Sequence, residues 1–272
     1  MPRHDKEYGI GVPYVNFMCL SGCLEVVLSG IDNSHWAWQN GQRNSDFKRG
    51  CVGSRHFGKD GCMSNKGDSE GTFPRMTVGV MGSAGGELSP EVLQRVHRLG
   101  YVIGKRGYVL VTGACPGLPH EAVGGAKEAG GVVVGVSPAL DFEEHVTKYH
   151  SPTRGYDAII YTGSGLMGRE IENIRSCDVV IFAGGRSGTL GEFAIAYDEA
   201  KVIGVLKSTG GITDHLETII GMVNKETGAV VCYDDDPDHL LDKLEKIYER
   251  RILPRHIDVL EKGSGPDGTL QD

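Results

Sequence analysis

No uninterrupted apolar stretch approaches the ~20 residues that a bilayer span requires, so no membrane helix is expected. The N-terminus shows no basic region followed by an apolar run, and no secretory signal is expected. Positive charge is also short: 28 Lys and Arg stand against 36 Asp and Glu, a formal net charge of -8. A general nucleic-acid binder neutralises phosphates with a basic surface, and this balance argues against one. The seven cysteines are an odd set. Cys115, Cys177 and Cys232 fall in the apolar-rich part of the chain, which reads as reduced thiols of a cytoplasmic protein rather than a disulfide framework. Cys19, Cys23, Cys51, His56 and Cys62 have the spacing of no known zinc ribbon or finger; they read as scattered thiols, and no metal is expected. Both common nucleotide motifs are missing as well. There is no Gly-Lys-Ser or Gly-Lys-Thr for a Walker loop. A nicotinamide site needs Gly-x-Gly-x-x-Gly and a following acid, whereas Gly82-x-x-Gly85-Gly86 has another spacing and no acid ends the second strand. That disfavours an NAD-dependent oxidoreductase. Lys105, Lys201 and Lys207 lie in no context for a Schiff base, which disfavours a pyridoxal-phosphate decarboxylase. No cofactor is expected.

Glycine, by contrast, is abundant, at 41 of 272 residues. The composition changes near Pro74. Residues 1–75 are rich in Gly, Ser, Asn and charge and show no long periodic segment, so they are expected to be a poorly ordered or loosely attached extension. From Met76 to about Ile252, short apolar runs alternate with helical spacings, and residues 253–272 read as a tail. The expected strands are Thr77–Met81, Tyr108–Thr112, Val132–Val136, Ala158–Tyr161, Asp178–Phe182, Val202–Leu206 and Ala229–Cys232. Their near-continuous apolar character is that of parallel strands covered on both faces. Ser89-Pro90-Glu91 and Asp236-Pro237-Asp238 are helix starts, while Gly107 and Gly130-Gly131 are helix ends. The fold class is α/β, a doubly wound parallel sheet in three layers with helices on both faces.

Ligands of open parallel sheets bind beyond the carboxyl ends of the strands, where strand order reverses. Four glycine-rich turns stand at such ends: Gly82–Gly86, Thr112–Gly117, Thr162–Gly165 and Gly184–Gly188. The fourth is the most telling. Val179-Val180-Ile181-Phe182 runs into Gly184-Gly185-Arg186-Ser187-Gly188-Thr189, and the helical spacing Leu190, Phe193, Ala194, Tyr197 follows. A strand, a glycine turn and a helix start aim backbone N–H groups and a positive dipole end at an anion, most simply a phosphate. Glu192 falls in the expected first turn of that helix, poised over the part of the ligand beyond the phosphate. Arg169 lies near the start of the preceding helix, where a guanidinium reaches the same crevice; Ile171 and Ile174 are expected to face the sheet.

Met167-x-Arg169, a short helix, a strand and Gly-x-Gly-Thr-x-x-Glu together resemble the LONELY GUY family, long labelled lysine decarboxylases. The similarity runs from about Met76 to Tyr248 and takes in Gly82-Ser83, the Thr112–Gly117 loop and Gly135-Val136-Ser137-Pro138. The resemblance implies a Rossmann-like fold, a homodimer and hydrolysis of nucleoside 5′-monophosphates. It implies a catalytic pair, Arg169 and Glu192, and a nucleotide-binding set of Gly82, Ser83, Gly113, Gly117, Met167, Gly184, Gly185, Arg186, Ser187, Gly188 and Thr189. Three departures mark a divergent branch: Arg186 replaces a motif glycine, Glu170 replaces the basic residue after the arginine, and Ala114-Cys115-Pro116 replaces a more glycine-rich loop.

Cleavage of an N-ribosidic bond passes through a transition state with positive charge on the ribose, which a carboxylate stabilises while activating water. Glu192 takes that role. Arg169 either stabilises the departing base or orients the ribose, and its charge is expected to keep Glu192 ionised. The amides of Gly185, Gly188 and Thr189, with the Thr189 hydroxyl, are expected to hold the 5′-phosphate. The alternative is a protein of the same fold that holds a nucleotide or cofactor without cleaving it, which Arg186 favours. His145, Tyr149 and His150 lie in a segment suited to a lid. Cys115 lies beside the expected pocket with no histidine to activate it, Asp198 and Glu199 read as solvated, and Thr209-Gly210-Gly211 reads as lining the same edge.

Overall fold

Val- and Ile-rich runs set between glycine turns become seven strands: β1 (Thr77–Gly82), β2 (Val109–Thr112), β3 (Val132–Ser137), β4 (Ala158–Tyr161), β5 (Val179–Ala183), β6 (Val202–Leu206) and β7 (Val230–Asp234). The computed structural model describes residues 74–263, which belong to one compact unit. Every expected strand is present, with ends displaced by two residues at most. All neighbours pair in parallel in the order β4-β3-β2-β1-β5-β6-β7.

The connections are helices: α1 (Pro90–Lys105), α2 (Leu118–Glu128), α3 (Phe142–Thr147), α4 (Gly165–Arg175), α5 (Ser187–Asp198), α6 (Leu216–Val223), α7 (Pro237–Arg251) and α8 (Leu253–Gly263). Their ends follow local chemistry. Ser89 Oγ accepts from the Val92 amide at 3.3 Å, and Asp236 Oδ1 accepts from the His239 amide at 2.9 Å, each satisfying a first-turn donor. Gly107 and Gly130, just past α1 and α2, take positive φ, which glycine adopts without strain.

Strand residues alternate between two cores. Val78, Val80, Val179, Ile181 and Ala183 pack with α1, α2 and α7, whereas Met81, Val180 and Phe182 pack with Ile174 of α4 and Phe193 of α5. Helices therefore cover both faces of the sheet, the three-layer arrangement that near-continuous apolar strands require.

Two local expectations are corrected. Leu253–Gly263, read as tail, is helical; Leu253 and Ile257 sit half-buried one turn apart on one side of it. In α4 the buried face is centred on Arg169/Asn173 and Glu170/Ile174. Ile174 is fully buried as expected, but Ile171 is left at the margin, 38% exposed. β1, flanked by β2 and β5, is the point where strand order reverses, and the crevice opens above its carboxyl end.

Candidate functional site

The crevice floor is tied together by side chains from loops distant in sequence. Gly184 and Gly185 both take positive φ. The Gly184 amide donates to Thr209 Oγ1 at 2.8 Å, and the Gly185 amide donates to Ser83 Oγ at 2.6 Å. Their carbonyls accept from the amides of Thr213 and Ile212 at 3.2 and 2.9 Å. The expectation that the Gly185 amide holds phosphate is thereby corrected: that donor is spent inside the protein, as is the donor of Gly184. Ser83 and Thr209 fasten the loops after β1 and β6 onto the turn after β5.

The open donors lie one step further on. α5 begins at Ser187, before the apolar spacing starts at Leu190. The Leu190 amide reaches back to the Arg186 carbonyl at 3.0 Å, and Arg186, the N-cap, offers no side-chain cap. The amides of Ser187, Gly188 and Thr189 are left without a partner among the described residues, as first-turn donors are unless something caps them. Arg186, Ser187, Gly188 and Thr189 line a cavity of about 560 Å³, together with Gly82, Ser83 and Gly113. That volume is within the usual range for a small-molecule site.

Arg169 and Glu192 meet in this cavity. Each is 7% exposed, and Arg169 Nη1 lies 3.8 Å from Glu192 Oε1. Arg169 stands fifth in α4, near the helix start as expected, whereas Glu192 stands in the second turn of α5, one turn later than expected, because that helix starts at Ser187. Gly113 explains how the guanidinium fits: a Cβ there would collide with Arg169 Nη1, so the loop after β2 needs glycine where the arginine crosses it. Arg169 Nε is buried with no hydrogen-bond partner among the described residues. Burial pushes the Glu192 carboxyl up to about 7, with nearby Glu170 adding to the rise; Arg169 and the Asn173 amide pull it down. The expectation that Arg169 keeps Glu192 ionised is thus corrected. Withdrawal from water outweighs one guanidinium at 3.8 Å.

Four expected site residues lie off the cavity wall. Gly184 and Gly185 belong to the tied floor. Gly117 takes positive φ at the N-cap of α2, where a Cβ would collide with the Ser83 carbonyl, so its role is loop packing. Met167 projects outward from the first turn of α4, 77% exposed. Leu166, one residue earlier, lines the cavity instead.

The segment between β3 and β4 contributes Lys148, Tyr149 and Ser151 to the cavity wall, while His150 is exposed. His145 is structural: its ring bonds Ser137 Oγ at 2.8 Å and the Pro152 carbonyl at 3.1 Å. Cys115 lines the cavity, and burial pushes its thiol up to about 11, which leaves it protonated at neutral pH. Asp198 pairs with Lys225 and Glu199 with Arg175 at the surface. Glu170, marked in the sequence only as a departure from the family motif, is a wall residue: 8% exposed, in the cavity, its oxygens against Gly188 and Gly191 of α5.

Among the described residues no cluster of three or more His, Cys, Asp or Glu could hold a metal, and no helix is long and apolar enough to cross a membrane. Cys19, Cys23, Cys51, His56 and Cys62 lie outside the described residues.

A seven-stranded parallel sheet with a crevice at its reversal point and open amides at a helix start defines a Rossmann-like fold. More narrowly, the chain belongs to the SLOG cluster4 family, whose profile matches residues 75–241. An uncharacterized protein of Archaeoglobus fulgidus is 33% identical over 132 residues, covering 48% of this chain and 80% of the relative. The molybdenum cofactor binding protein of the phototrophic bacterium Rippkaea orientalis superposes with a TM-score of 0.53 at 28% identity, over 65% of this chain and 99% of that one. A molybdenum cofactor carrier protein of Chlamydomonas reinhardtii gives a TM-score of 0.54 at 26% identity, with the same coverage of 65% and 99%.

Proposed function

We propose that the protein hydrolyses the N-ribosidic bond of a nucleoside 5′-monophosphate, releasing the base and ribose 5-phosphate. The observation that carries this reading is the buried Arg169–Glu192 pair at 3.8 Å, beside the open first-turn amides of α5. Those amides, the Thr189 hydroxyl and Arg186 hold the 5′-phosphate. Remote binding energy of that kind positions the reacting bond. Glu192, its carboxyl raised by burial to about 7, takes in its ionised form one proton from a water whose oxygen bonds to C1′. The C1′–N bond breaks, its electron pair stays on the base nitrogen, and a proton from Glu192 or solvent neutralises the base. Arg169 stabilises the departing base or orients the ribose. A cytoplasmic location and a homodimer belong to the same proposal. The free thiols support the first, and exposed Leu166 and Met167 of α4 support the second.

A second reading, that the pocket holds a cofactor without turning it over, is favoured by the descriptions of the Rippkaea and Chlamydomonas proteins and by Arg186 in the anion loop. One experiment separates the two. The protein is incubated with a panel of nucleoside 5′-monophosphates, and free base and ribose 5-phosphate are followed by chromatography. Base release that disappears in Glu192→Ala, with binding retained, is the expected outcome. Tight binding with no base released would sink the hydrolase and leave the holder.

A further inference from the structure

Glu170 is a carboxylate without a partner. It is more than nine-tenths removed from solvent, it lines the cavity, and no described residue donates a hydrogen bond to it or forms an ion pair with it. Its neighbour Arg169 is turned to Glu192 and Gly113 instead. Its oxygens open onto the cavity and accept nothing from the protein, so they are free to accept from whatever fills it. Gly188 and Gly191 leave room for it: a Cβ at either position would stand 3.3 or 3.2 Å from its oxygens, tighter than ordinary contact. Gly188 is itself one of the open amides at the start of α5 and Gly191 directly precedes Glu192, so Glu170 faces the interval between anion site and catalytic carboxylate. In a nucleotide anchored by phosphate at the first of these and cleaved at the second, the ribose occupies the interval.

We propose that Glu170 is the sugar-recognition group of the pocket: its carboxylate accepts hydrogen bonds from the vicinal hydroxyls of a ribose 5-phosphate moiety, so the site takes ribonucleotides in preference to deoxyribonucleotides. This rests on the nucleotide reading of the site, though not on turnover. An acid bonded to ribose hydroxyls is established chemistry in parallel α/β folds, but there it ends a strand, whereas here it comes from α4.

The probes are ribose 5-phosphate, 2-deoxyribose 5-phosphate and inorganic phosphate, none of which contains the scissile bond, titrated calorimetrically against the full chain. A site built to bond a hydroxyl rejects the analogue lacking it, so the wild type is expected to prefer the ribose form by about tenfold or more. Glu170→Gln is expected to bring the ratio to within about threefold of unity without weakening the binding of inorganic phosphate, which loss of a neighbouring negative charge favours. Its melting temperature without ligand should not fall, since no protein contact is lost; a structural role would lower it. Should Glu170→Gln not fold, Glu170→Asp, which withdraws the charge by one methylene, is expected to reduce the ratio in the same direction. A wild-type ratio near unity, or a ratio unaffected by these variants, overturns the proposal. Sugar preference without base release from nucleotides refutes hydrolysis and upholds the role of Glu170. Failure of every phosphate compound to bind refutes both.

Discussion

Glu192 is held where ionisation is unfavourable, and its stability effect and its catalytic role pull in opposite directions. The folded state holds its proton up to about pH 7, against an ordinary value of 4.5. Between those limits the folded protein binds more protons than the unfolded chain, so stability falls as pH rises through that window and levels off above it. Glu192→Gln removes the effect. Denaturant titration should find this variant more stable than wild type at pH 8, on the order of 1–3 kcal/mol, with no gain at pH 4. Its turnover should drop by about a hundredfold or more, and wild-type kcat/KM should rise with pH to a plateau, with a midpoint near 7. Gly113 offers a second residue-level test. Gly113→Ala displaces the far end of the Arg169 side chain, a flexible group, so kinetics should lose about tenfold or more while the melting temperature moves little. The Arg169–Glu192 pair was legible because strand, turn and helix spacing place both at one sheet edge. Glu170 was marked as a motif departure but its place in the cavity was not legible, because apolar periodicity marks Ile171 as inward and reads a charge beside it as solvated. The spent amides of Gly184 and Gly185 were equally hidden, since the hydroxyls that take them sit on loops after other strands.

α1 and α2 lie backbone against backbone, an arrangement set by individual glycines. A Cβ at Gly100 would collide with the Ala122 carbonyl, and one at Gly125 with the His97 carbonyl. Backbone atoms within a helix pair do not yield as a side chain does. Gly100→Ala and Gly125→Ala should each destabilise by about 2–4 kcal/mol in urea unfolding. Gly124, one position away, meets only the His97 ring, at 3.5 Å. Gly124→Ala should therefore be neutral or stabilising by about 0.5–1 kcal/mol, the ordinary helix-propensity gain. Element positions were well marked in the sequence because both faces of the sheet are covered and four helix ends carry recognisable caps. α8 was not read although Leu253, Ile257 and Leu260 fall at helical spacing, because Pro254 directly after the preceding helix reads as a stop.

At the scale of the molecule, the doubly wound sheet and its reversal at β1 decide where chemistry occurs. Strand alternation alone led to that edge, since the loops converging above it are the glycine-rich ones. What the pattern did not reveal is how the loops fasten to one another, because hydrogen bonds between segments far apart in sequence leave no periodic trace. A ligand that binds only the folded state should raise the melting temperature with concentration, and thermal shift with ribose 5-phosphate checks this.

The Ser83 and Thr209 hydroxyls anchor the turn after β5 to neighbouring strands on both sides, so the anion loop has no independent freedom to melt. The protons on Gly184 and Gly185 nitrogen should then resist deuterium uptake as long as those of the central strands do, escaping only when the whole sheet opens. A receptor surface of this kind is finished before any guest arrives, and docking onto it adds little ordering of the host.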